Sequence, residues 1–148
     1  MDLEKKTQLL QAFYAGVLAD SVLRLGNEGV LERVAAQKRK EQMATGRARA
    51  SQMGINSPEQ VFTFLSEVFA CANWQISAQP NGFVALTPSC RLCAIAKRMG
   101  APSPCDIHCL APMEGMVKGI SPESGFDVKE TLWNGAECRV EVFKTETA

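Results

Sequence analysis

The sequence predicts an α+β fold, helical over residues 1–72 and built over 73–148 from two β-hairpins flanking a cysteine-rich helical segment. Three observations predict it. Apolar residues recur every three or four positions through the first part of the chain. The period drops to two at Trp74-Gln75-Ile76-Ser77-Ala78-Gln79, with the turn Pro80-Asn81-Gly82 following. It drops to two again from Phe126 to Phe143 around Asn134-Gly135. At 148 residues the chain suits a single domain with one sizeable core.

The elements follow in order. Leu10, Phe13, Tyr14, Val17, Leu18, Ser21 and Leu25 fall on one face of a first helix, spanning Leu9 to Leu25. Gly26-Asn27-Glu28-Gly29 breaks it. A second helix runs from about Val30 to Met53, with Leu31, Val34, Ala35, Met43 and Ala44 on one side. Its many cations, among them Arg33, Lys38, Arg39, Lys40, Arg47 and Arg49, read as a solvated face, the alternative being an anion-attracting surface. Ser57, Pro58 and Gln60 have the order of a helix start, and Val61, Phe62, Phe64, Leu65, Val68, Phe69 and Ala72 give that third helix a broad apolar face. Cys71 reads as a small buried hydrophobe. After the first hairpin, a short helix is expected from Ser89, its cap, to Met99, with Gly100 as stop. Another is expected from Asp106 to Lys118, kinked or restarted at Pro112 because proline lacks an N–H. The closing hairpin runs from Phe126 to Trp133 and from Cys138 to Phe143.

Composition narrows the function classes. Lys plus Arg and Asp plus Glu number 16 each, so no net field points toward nucleic acid or a membrane surface. No apolar run is long enough to span a bilayer. The polar start Met1-Asp2-Leu3-Glu4-Lys5-Lys6 lacks a signal peptide's layout, so a cytoplasmic location is expected. Thiols stay reduced there, and six cysteines then point to metal binding, catalysis or burial rather than to a disulfide framework.

The chemistry concentrates between Cys90 and Cys109. Cys90-Arg91-Leu92-Cys93 is a C-x2-C pair, and Cys105-Asp106-Ile107-His108-Cys109 adds a C-x3-C pair beside the chain's one histidine. Soft thiolates so spaced can converge on zinc or an iron–sulfur cluster, with Cys90, Cys93, Cys105, Cys109 and His108 as ligand candidates. The alternative is nucleophilic: Cys90 stands at a helix start, where unpaired N–H groups favour the thiolate, and Cys105 lies one turn from His108. The bland alternative is structural thiols and a surface histidine. Glu130 shares a strand face with Phe126, Val128 and Leu132. If that face is buried, its carboxylate is a candidate base, ligand or acceptor; if Trp133 and Phe143 mark the core face, it is exposed.

Two runs carry a resemblance. The first is His108-Cys109-Leu110-Ala111-Pro112-Met113-Glu114-Gly115-Met116-Val117-Lys118-Gly119. The second is Phe126 to Val142, containing Glu130-Thr131, Gly135 and Cys138. Together they resemble the four-vinyl-reductase, or hydrocarbon-binding, domain. The break Leu25-Gly26-Asn27-Glu28-Gly29, the basic helix through Gly46, and Cys90, Cys105 or Cys109, and Cys138 are similar to the L-2-amino-thiazoline-4-carboxylate hydrolase-like family. The chain has Trp133 and Arg91 where these families often carry a cysteine and a proline. The resemblances imply N-terminal helices packed on a four-stranded antiparallel sheet made of the two hairpins, with a ligand cavity between.

Three functions follow as expectations. The favoured one is a small-molecule-binding domain with a cysteine-rich, metal-binding site, its pocket walled by Phe62, Phe69 and Trp133 and its ligand oriented by Glu130. The alternative is a hydrolase of a small cyclic C–N or C–S substrate, using Cys90 or a metal-bound water with Glu130 or His108 moving protons. The third is an interaction domain, a homodimer through the N-terminal helices.

Overall fold

The computed structural model describes residues 1–145. Three helices come first: α1 (Leu3–Asn27), α2 (Leu31–Gln52) and α3 (Pro58–Val68). Strands β1 (Gln75–Gln79) and β2 (Gly82–Thr87) follow, then α4 (Arg91–Met99), a π-helical turn (Asp106–Leu110) and α5 (Ala111–Ile120). Strands β3 (Ser124–Glu130) and β4 (Cys138–Lys144) close the chain. The fold is α+β. Both hairpins are antiparallel, and β2 pairs with β4, so one four-stranded sheet forms in the order β1-β2-β4-β3.

The predicted start of α3 holds. Ser57 Oγ accepts the Gln60 N–H at 3.3 Å, and the Gln60 carboxamide accepts the Asn56 N–H at 2.7 Å, which satisfies two free donors at that end. Phe62 carries the helix into the core on the sheet side, with Trp74, Phe83, Met113, Val117, Val140 and Val142. A second apolar cluster joins α1 to α4 through Ala19, Val22, Leu92 and Ala96, with Ala101 and Ile107.

The predicted stripe of α1 is divided: Leu18 and Leu25 pack against the second cluster and Tyr14 lines the cavity, while its N-terminal part faces away from the core. Ala15, Ala19 and Val22 are buried, whereas Leu10, Phe13 and Val17 are 70%, 71% and 65% exposed. The alanine face lets α1 approach α4 closely, and the larger side chains are thereby turned to the opposite side. This bare stripe is the surface that self-association through the N-terminal helices would have to use.

The most extensive helix contact is that of α2 on α5, and it is a backbone contact. Gly46 faces the Gly115 carbonyl, Gly115 the Gln42 carbonyl, and Gly119 the Arg47 amide, each with no room for a methyl.

Three local boundaries differ from expectation. Helix α4 is capped at Cys90 rather than Ser89, because the Ser89 carbonyl already accepts the Thr87 hydroxyl at 3.0 Å. The restart at Pro112 takes the form of a π turn. Proline at that position can neither donate to the His108 carbonyl nor tolerate it close by, and the wider turn relieves both. In the closing hairpin, β3 stops at Glu130 after an irregularity between Val128 and Glu130, so residues 131–137 form a loop instead of a two-residue turn. The Glu130 carboxylate holds that loop by accepting the Ala136 N–H at 2.9 Å.

A thiol-lined cavity as candidate functional site

Between α1, α2, α3, α4, the π turn and the start of β4 lies a cavity of about 440 Å³. All six cysteines line it. Each arrives from a different local cause. Cys71 follows α3, and its carbonyl accepts the Arg91 N–H at 2.7 Å, which ties the end of one helix to the start of another. Cys90 is the N-cap of α4, and Cys93 lies on its buried face with Leu92 and Ala96. Cys105 precedes the π turn, Cys109 lies within it, and Cys138 opens β4 opposite Thr87. Phe69, Trp74, Leu65 and Met116 supply apolar wall.

The opposite wall comes from α2. Lys38, Gln42, Arg49, Gln52 and Met53 reach the cavity, and the buried Gln42 is fixed by a hydrogen bond from the Arg49 guanidinium. Among the described residues no Asp or Glu lines the cavity, and the two full charges there, Lys38 and Arg49, are both positive. The solvated face expected for the α2 cations holds, with Arg49 exposed and Lys38 half-buried, but these two also border the cavity. A usable signal was present: Lys38, Gln42, Arg49 and Met53 recur at intervals of four, seven and four, the spacing of one helical stripe.

Three of the cysteines gather at the start of α4 and the π turn. Cys93 Sγ lies 3.6 Å from Cys105 Sγ, and Cys90 stands in the same first helical turn as Cys93. The neighbouring Cys93 thiol, with the Leu92 and Cys93 backbone N–H groups, draws the Cys90 thiol down to about 6 against the opposing effect of burial. Cys93, beside the other two sulfurs and with one hydrogen to give, is pushed up. Cys105 is lowered chiefly by its bond from Cys93. Burial raises the Cys109 thiol well above the ordinary thiol range. Burial likewise raises Cys71, and pushes Cys138 up to about 12.

His108 also lines the cavity. Its Nε2 lies 2.7 Å from Ser21 Oγ. The Ser21 hydroxyl has one hydrogen and donates it to the Leu18 carbonyl at 2.8 Å, so the ring N–H donates to Ser21 and Nδ1 is the free acceptor. Burial, then the nearby Lys38 charge, lowers the imidazole to about 4 from 6.5. The unfolded chain therefore binds the extra proton between those values, and stability falls as pH drops from 6.5 toward 4. The ring is only half-buried, so the contribution is about 1–2 kcal/mol after allowance for solvent screening. Urea midpoints at about pH 7 and about pH 5 should fall further apart in the wild type than in His108→Asn; equal separations in the two proteins would rule the linkage out.

The other expected site residues are dispersed. Phe69 lines the cavity, stacked on Tyr14 at 4.7 Å. Phe62 is fully buried beneath the sheet-side core and does not reach it. Trp133 packs on the outside of α4, under the Lys97 ammonium at 5.4 Å. Glu130 is occupied by its own loop and is not a lining residue. The expected metal ligands share one cavity without converging. The Cys109 thiol turns to Met113 Sδ at 3.7 Å, and the His108 ring is bonded to Ser21. Among the described residues, no group of three or more His, Cys, Asp and Glu side chains is arranged to hold a metal ion.

No protein-family model, no curated protein and no solved structure matches this chain. Among the described residues, no helix is long and apolar enough to cross a membrane.

Proposed function

We propose that the protein is a small-molecule-binding domain whose ligand occupies the thiol-lined cavity, and that this ligand is apolar in body and anionic at one end. The cavity carries the proposal: its 440 Å³ falls in the range of small-ligand sites, its walls are mainly apolar, and among the described lining residues Lys38 and Arg49 are not balanced by a carboxylate. Lys38 is half-buried and Arg49 is exposed, so this wall presents positive charge that favours an anionic ligand end. The resemblance to the hydrocarbon-binding domain points the same way. Six free thiols suit a reducing compartment such as the cytoplasm.

The test is a thermal-shift series with an aromatic carboxylate, its neutral amide and its amine analogue. The carboxylate should raise Tm by several degrees at saturation while the other two do not, and Lys38→Met with Arg49→Met should abolish the difference. Equal shifts from all three probes, or none from any, would overturn the proposal.

The hydrolase alternative draws support from Cys90, whose placement at the N-cap of α4 favours a nucleophilic thiolate. Of its two expected proton carriers, His108 shares the cavity with Cys90 and Glu130 does not.

A further inference from the structure

Cys90, Cys93 and Cys105 are close enough to do chemistry on one another as well as on a ligand. Cys90 and Cys93 occupy the N-cap and third position of one helix, so both sulfurs lie in its first turn. Cys93 is buried and in contact with Cys105 at 3.6 Å across the start of the π turn. A disulfide needs its sulfurs at about 2 Å, which side-chain rotation can supply from a contact distance. Cys90, at the helix start, and Cys105 are half-buried, and Cys93 is buried. All three border a cavity that carries two cations.

We propose that Cys90, Cys93 and Cys105 form a thiol–disulfide exchange centre whose substrate is a low-molecular-weight anionic disulfide. This rests on the ligand site proposed above. The Cys90 thiolate attacks one sulfur of the substrate. A Cys90–substrate bond forms, the substrate S–S bond breaks, and the first thiolate leaves with its electron pair and takes a proton from solvent. Cys93 then gives up its proton and attacks Cys90 Sγ, which expels the second thiolate and leaves a Cys90–Cys93 disulfide. Cys105, having lost its own proton, attacks Cys93 Sγ, which moves the bond to Cys93–Cys105 and returns Cys90 as a thiolate. One substrate disulfide is reduced to two thiols, one protein dithiol is oxidised, and two electrons pass. An external dithiol resets the centre by the reverse sequence.

The experiment treats the reduced full-length chain with one equivalent of 5,5′-dithiobis(2-nitrobenzoate), an aromatic disulfide with two carboxylates. Neutral bis(2-hydroxyethyl) disulfide and cationic cystamine are run beside it. Wild type should release both thiolates of the anionic reagent and yield an intramolecular Cys93–Cys105 disulfide by peptide mapping, reversed by dithiothreitol. Cys93→Ser should release only one and retain a mixed disulfide on Cys90. Because Cys93 is buried, Cys105→Ser provides the second variant and should stop at Cys90–Cys93. A stable mixed disulfide on the wild type, or first reaction at Cys71, Cys109 or Cys138, would overturn the exchange centre. The anionic reagent should also outpace cystamine at Cys90 on the order of tenfold relative to the same pair of reagents on unfolded chain. The same internal disulfide formed with no such charge preference would instead overturn the anionic-ligand reading. A carboxylate-specific thermal shift with no exchange would overturn the exchange centre alone.

Discussion

Gly46→Val should cost about 3 kcal/mol or more, a large share of what a single domain holds. At Gly46 the added side chain meets the Gly115 carbonyl, a backbone atom that cannot rotate away. The same holds for Gly115 against the Gln42 carbonyl and for Gly119 against Arg47, so relief at one site is blocked at the next. The helices must separate, and overpacking of this kind typically costs about 1–3 kcal/mol even where flexible side chains absorb it. Single domains hold only about 5–15 kcal/mol in total. Gly46→Ala isolates the contact, since alanine favours a helix over glycine by about 1 kcal/mol and should stabilise if the contact were loose. Gly16→Ala in α1, with nothing within 4 Å of the new methyl, is the control and should stabilise slightly. Urea midpoints decide between them. A Gly46→Ala midpoint at or above wild type would refute the close approach. The consequence reaches the site, because α2 brings Lys38, Gln42 and Arg49 to the cavity.

Phe62→Ala should cost about 3–5 kcal/mol, the usual range for deleting a buried aromatic ring. The ring is fully buried and packs edge-on to Trp74 at 5.2 Å and to Phe83 at 5.6 Å, with Phe126 stacked at 6.2 Å. Those pairings join α3 to three parts of the sheet region at once, so no single neighbour can fill the space. Phe62→Leu retains most of the volume and should cost less than half as much. Because Phe62 does not line the cavity, the folded fraction of Phe62→Leu should keep the carboxylate-specific thermal shift. A wild-type urea midpoint for Phe62→Ala would remove this cluster from the core; loss of the shift in stable Phe62→Leu would place the ring in the site.

How much of this was legible can be seen residue by residue. Periodicity located the helices and both hairpins, and the Ser57-Pro58-Gln60 start and the Gly100 stop are in place. These are local preferences of backbone and side chain, and a sequence carries them directly. The stripe on α1 shows the limit. Leu10, Phe13 and Val17 are the larger apolar residues, yet the face with Ala15 and Ala19 is buried, because α4 approaches closely only over small side chains. Gly46, Gly115 and Gly119 look unremarkable in a helix until the partner backbone is known.

The candidate site divides in the same way. The sequence by itself determined the α+β order of elements and marked the segment from Cys90 to Cys109 as the place where the chemistry gathers. Tertiary structure alone decided that Cys71 and Cys138 join that segment, that Lys38 and Arg49 face it, and that Glu130 turns instead to Ala136. It also decided that Cys93 meets Cys105 across the start of the π turn. The physical reason is that spacing constrains neighbours one turn apart. Which distant side chains share a cavity depends on how closely whole helices can approach, and here three glycines between α2 and α5 govern that approach.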